Sequence, residues 1–152
     1  MTSIDRARIE SLVPHAGLMS LWDRVIDWTD STIVLSTERH RDVDHPLRSN
    51  DRLRAVHLCE YGAQSMAVHG GLRASQRGAT APPGLLVALR GVELTVDRID
   101  QLPHALICEA TLLIDSDSGW QYAFRIHHDD VLLAQGRAAV VVRPSGEAGP
   151  AS

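Results

Sequence analysis

The spacing of apolar positions changes along this chain, and each spacing predicts an element. Residues 3–12 (SIDRARIESL) place Ile4, Ile9 and Leu12 on one helical stripe, with Ser3 positioned to cap it and Pro14 to end it. Residues 19–27 and 31–38 carry β-branched and bulky side chains, among them Val25, Ile26 and the run Thr32-Ile33-Val34-Leu35, and predict two strands about a Thr29-Asp30 turn. The stretch HRDVDHPLRSNDRLR, residues 40–54, is too charged and too aperiodic for a strand, so it predicts a loop whose Asn50 or Asp51 caps the next helix. Residues 55–70 (AVHLCEYGAQSMAVHG) are apolar on nearly every side, with Glu60 as their one formal charge. A helix of that composition belongs in an interior. Its small residues Ala55, Gly62, Ala63 and Ala67 let strands come close to its backbone. Gly62 costs about 1 kcal/mol of helix propensity relative to Ala, and a tight packing contact is the compensation this implies. Gly70-Gly71 is the expected helix end. Beyond a Gly/Ala/Ser/Pro-rich loop at 73–84 the pattern turns to β, with strands expected at 85–96, 105–114, 120–127 and 131–142 and turns at DQLP, DSDSG and HDD. The tail PSGEAGPAS is expected to be disordered.

The order is helix, two strands, buried helix, four antiparallel strands. One long helix wrapped by a curved antiparallel sheet covers the apolar surfaces of both, which makes the expected class α+β with a hotdog arrangement. No linker interrupts residues 1–143, so a single domain is expected there, followed by the tail at 144–152.

Composition narrows the function. The 152 residues are 44% hydrophobic, enough for a packed core, and the net charge of −4 argues against a general nucleic-acid or membrane-surface binder. A charged N-terminus (MTSIDRARIESL) without an apolar core and the lack of a long apolar run point to a cytoplasmic protein. Cys59 and Cys108 lack CxxC spacing and read as two reduced thiols.

Several polar residues are candidates for chemistry. Glu60, in an apolar helix, must be paired, hydrogen-bonded or protonated if it is buried. A carboxylate that reaches solvent from the first turn, or pairs with Arg52 or Arg54, fits the spacing equally. Gln64 follows it by four residues and His57 precedes it by three, so His57, Glu60 and Gln64 form a polar stripe on one helix face, either a site or a satisfied core network. His40 and His45 lie in the loop that feeds the helix, where an imidazole can exchange a proton near neutral pH. His15 and His69 read as turn residues. The run His127-His128-Asp129-Asp130 reads as a solvated hairpin turn rather than a metal site. No HExxH, GxSxG or phosphate-binding glycine motif is present, so no metal or cofactor is expected.

Three stretches carry a family resemblance: VPHAGLMSLWDRVIDW, CEYGAQSMAVHG and LLAQGRAAVVV. Together they resemble the β-hydroxyacyl-acyl-carrier-protein dehydratases of the hotdog superfamily, especially the dehydratase-like proteins of aryl polyene biosynthesis clusters, over residues 8–142. The resemblance implies elimination of water from a 3-hydroxyacyl thioester. In that chemistry a loop histidine removes the α-proton, the helix carboxylate helps the hydroxyl leave, and backbone N–H groups at the helix start polarise the thioester carbonyl. The carboxylate then falls on Glu60 and the adjoining polar side chain on Gln64. The histidine falls on His45, fifteen residues before Glu60, rather than on His40. The loop DHPLRSNDRLRAV departs from the family's His-Phe-Pro-Gly pattern, which leaves two alternatives: a non-catalytic acyl-binding or partner subunit, and a hotdog thioesterase. Arg48, Arg52 and Arg54 near the site mouth suit the acidic carrier protein and its phosphopantetheine phosphate. A homodimer or higher homo-oligomer is implied, or a heteromer with a second hotdog subunit.

Overall fold

The structure, a computed structural model, describes residues 3–12, 20–79 and 84–142. The expected tail, Pro14, His15 and the start of the first expected strand lie outside them. Strand β1 (Ile4–Asp5) leads into helix α1 (Arg6–Leu12), and strands β2 (Arg24–Trp28) and β3 (Thr32–Thr37) follow. After the long loop comes helix α2 (Leu58–Gln76), then strands β4 (Gly84–Leu94), β5 (Leu106–Ser116), β6 (Gly119–His128) and β7 (Val131–Val142). The strands form one antiparallel sheet in the order β1-β2-β3-β5-β6-β7-β4. Helix α2 packs on the face made by β3, β5, β6 and β7. This is the hotdog arrangement expected from the element order.

The core lies between helix and sheet. Leu58, Tyr61, Met66, Val68 and Leu72 of α2 meet Ile33 and Leu35 of β3, Leu106, Cys108 and Ala110 of β5, and Tyr122, Phe124 and Ile126 of β6. On β5 and β6 the buried positions alternate, as a sheet with one covered face requires. Gly62 supplies the expected close approach: a Cβ there would lie 2.8 Å from the Phe124 ring.

Several boundaries differ from the sequence expectation, each for a packing reason. The first helix starts at Arg6 rather than Ser3, because Ile4 and Asp5 pair with Val25 and Arg24; the Asp5 carboxylate, not Ser3, accepts the Arg8 N–H at 3.1 Å. The first long strand starts at Arg24, since the Leu21 N–H is taken by the Gln64 side chain at 2.9 Å rather than by a neighbouring strand. Asn50 and Asp51 do not cap α2. Both have positive φ (53° and 62°) and form the tip of a tight turn closed by the Ser49–Arg52 pair. A 3-10 turn at Ala55–His57 precedes the helix. Helix α2 runs through Gly70-Gly71 to Gln76. Gly71 is a crossing point instead of a terminus: a Cβ there would lie 2.9 Å from both the Cβ and the carbonyl oxygen of Leu12, so its absence lets α1 sit against α2. Cys59 and Cys108 are both free. No helix among the described residues is long and apolar enough to cross a membrane.

Candidate active site

The start of α2 is braced from two sides. From the loop after β4, the Ile99 N–H donates to the Leu53 carbonyl at 2.9 Å, and the Asp97 carbonyl accepts the Ala55 N–H at 2.9 Å. The nearly buried Asp100 carboxylate accepts the Leu53 N–H at 2.9 Å and two Arg98 donors at 3.0 and 2.5 Å. The Arg98 guanidinium, helped by the Leu53 N–H, holds the Asp100 carboxyl well below the usual carboxylate range. From the N-terminal side, the Trp22 indole N–H donates to the Tyr61 carbonyl at 2.9 Å and packs edge-on against the Tyr61 ring.

His45 sits against this helix start and is 7% exposed. Its Nδ1 accepts the Leu47 N–H at 3.1 Å, so the neutral ring carries its proton on Nε2, which donates to the Tyr61 hydroxyl at 2.9 Å. The two rings stack at 6.1 Å. Burial, reinforced by the nearby Arg39 cation, pushes the His45 pKa down to about 4. Burial pushes that of Tyr61 up. Arg39 is held by the Asp23 carboxylate at 2.6 Å and donates to the Ser20 carbonyl. The pair at the centre of the site is therefore a neutral imidazole and a neutral phenol.

Of the two alternatives the sequence left open for Glu60, the carboxylate that reaches solvent is the one found. Its side chain is 52% exposed and faces His57, whose Nδ1 lies 3.4 Å from Oε2. A carboxylate in the first turn of a helix points past the helix end instead of into the sheet, and there it also meets the positive end of the helix dipole. Its partner is His57, not Arg52 or Arg54. Gln64 parts from the other two members of the stripe: four residues advance the helix by more than a full turn, and its side chain is buried, with Oε1 on the Leu21 N–H.

The remaining candidates separate in the same way. Arg48 donates to the carbonyls of Asp42, Asp51 and Arg41 at 2.8, 3.0 and 3.0 Å, so it staples the His45 loop. Arg52 and Arg54 are exposed. His40 is fully buried, and its Nε2–H donates to the Leu102 carbonyl at 2.9 Å, which ties the loop down from the other side. His69 is not a turn residue; it lies buried in α2 between the Tyr122 hydroxyl (2.7 Å) and the Thr29 carbonyl (2.8 Å).

Tyr61 escaped the sequence reading. A hydroxyl-bearing aromatic beside Glu60 in an apolar helix was its signal, because a buried phenol requires a polar partner. Asp23 and Arg39 left no comparable signal, being charges in strand and loop.

A family model for ApeP dehydratases, the ApeP-like family, matches residues 7–149. The chain belongs to the ApeP-like dehydratase family. This bears out the resemblance to dehydratases of the aryl polyene type. Among solved structures, the ApeI:P dehydratase heterocomplex from Xenorhabdus doucetiae is similar at 22% identity and TM-score 0.81, covering 91% of this chain and 93% of that one. A hypothetical thioesterase with coenzyme A from Streptococcus pneumoniae is similar at 10% identity and TM-score 0.58, covering 80% and 85%. At these identities the structures share the fold. A search of curated protein sequences gave no match.

Proposed function

We propose that this dehydratase-family chain acts on 3-hydroxyacyl thioesters presented by acyl carrier protein, at a site around the start of α2. The observation that carries the reading is the hydrogen bond from His45 to Tyr61. It brings the loop histidine onto Tyr61, the residue next to Glu60 in the first turn of α2, where the Glu60 carboxylate pairs with His57. The reaction takes a proton from the α-carbon and forms the α,β double bond as the C–O bond breaks, and a donated proton turns the departing hydroxyl into water. Glu60, exposed on this chain and backed by His57, is the group we assign to the leaving hydroxyl. Arg52 and Arg54, exposed beside the same helix start, suit the carrier protein's acidic surface and phosphate.

His45 acts as a base only in the tautomer with Nε2 unprotonated. The Leu47 N–H disfavours that tautomer, because it fills Nδ1. This specific observation supports a second reading, in which the chain is a non-catalytic subunit that completes a partner's site. The similarity to the ApeI:P heterocomplex supports pairing with another hotdog subunit. Edge strand β4, hydrogen-bonded only to β7 among the described residues, is where such a subunit would extend the sheet.

One experiment separates the readings. Purified chain, alone and co-expressed with a second hotdog dehydratase, is given 3-hydroxyacyl carrier protein and followed by enoyl absorbance. The catalytic reading expects turnover that falls by at least about 100-fold in both Glu60→Ala and His45→Ala. Activity that needs the partner and survives both substitutions would establish the partner reading instead. Thiol release without enoyl formation would replace both with a thioesterase.

A further inference from the structure

We propose that His104, His128 and Asp129 form a binding site for a divalent transition metal ion, away from the start of α2. His128 ends β6, Asp129 lies in the two-residue β6–β7 turn, and His104 comes from the connection between β4 and β5, so the fold brings in a ligand from twenty-four residues away. The ligand atoms of all three lie within 4.8 Å of one another. His104 Nδ1 is 2.8 Å from Asp129 Oδ2, His128 Nε2 is 3.7 Å from the same oxygen, and the two imidazoles stack at 5.7 Å. An ion with bonds of about 2.0–2.2 Å to nitrogen and oxygen fits between these atoms once the His104–Asp129 contact opens slightly. The His104 side chain is 67% exposed and free to make that adjustment, whereas His128 is almost buried and fixes the inner corner.

The donor set decides the class of ion. Two imidazoles and one carboxylate favour Zn²⁺, Ni²⁺ or Cu²⁺ over Mg²⁺ and Ca²⁺, which prefer all-oxygen shells. Three protein ligands leave a further coordination position. His104 and Asp129 line an open cavity of about 520 Å³ that also carries Glu109 and His127, so that position faces a space able to hold water or a ligand carboxylate. Two present bonds must be exchanged. The ion takes the place of the Nδ1 proton that His104 now donates to Asp129, and that proton moves to the exposed Nε2 or to solvent. The ion also takes the His128 Nε2 lone pair, which now accepts the His104 backbone N–H at 3.1 Å. Bound metal would clamp the β4–β5 connection to the β6–β7 hairpin. The same connection supplies the Leu102 carbonyl to His40, at the base of the His45 loop, so the clamp would stiffen one wall of the candidate active site.

The test uses the full chain with any affinity tag removed, titrated with Zn²⁺ by calorimetry and with Co²⁺ by visible absorption. The expected result is about one equivalent bound, a visible Co²⁺ band, and a rise in melting temperature with Zn²⁺. His104→Ala and Asp129→Asn should each weaken binding by more than about tenfold while melting like the parent without metal. His104 is exposed, and asparagine accepts the positive φ of 49° at position 129, so both variants should fold. No binding by the parent overturns the proposal, and so does binding that survives either substitution.

Discussion

At the scale of single residues, burial decides protonation. His45 has left water without gaining an anionic partner, so its neutral form is favoured in the fold, whereas an unfolded imidazole titrates at its ordinary value of 6.5. Below that value the unfolded chain binds the extra proton first, and stability is lost as the pH falls from 6.5 towards about 4. His40 and His69, also pushed down chiefly by burial, act with the same sign. Melting temperature measured across this window should fall steadily. A His45→Gln variant should melt lower than the parent at pH 7 and lose less on acidification; equal slopes would show that the histidine does not carry the effect. The burial of His45 beside Tyr61 was not legible in DHPLRSNDRLRAV, because loop composition says nothing of which loop side chain the helix will cover.

At the scale of elements, three glycines of α2 give opposite expectations. A Cβ at Gly62 meets the Phe124 ring at 2.8 Å, and one at Gly71 meets Leu12 at 2.9 Å. Overpacking of about 1–3 kcal/mol should exceed the propensity gain, so Gly62→Ala and Gly71→Ala should both destabilise. At Gly70 a Cβ meets nothing within 4 Å, and the position is helical. Gly70→Ala should therefore stabilise by about 0.8–1.0 kcal/mol, read as a higher midpoint in urea. The apolar character of α2 and the packing role of Gly62 were legible in sequence. The true end of the helix was not, since a Gly-Gly pair is the usual terminator and only the crossing of α1 shows why it continues.

At the scale of the whole molecule, the helix start is held by segments far apart in sequence. Asp100 links the loop after β4 to Leu53, and removing it strands Arg98 and an amide. Asp100→Ala should lower the melting temperature, and Asp100→Asn, which still accepts the Leu53 N–H, should lower it less; thermal denaturation checks the order. If edge strand β4 is the subunit contact, Leu89→Lys, at an exposed position on that strand, should lower the mass measured by light scattering towards that of one chain. An unchanged mass would move the contact elsewhere.

The sequence alone determined the element order apart from the two-residue strand β1, the apolar helix and the family, because these rest on local periodicity and short motifs. Packing alone decided the directions of side chains. Glu60 and Gln64 lie four residues apart on one helix, yet one faces solvent and the other the core, since the first turn projects past the sheet and the second is covered by it. Arg48 turned to its own loop carbonyls, His45 found Tyr61, and His104 joined His128 and Asp129. None of these pairings has a periodic signature: contacts across tens of residues are fixed by how strands and loops close on one another.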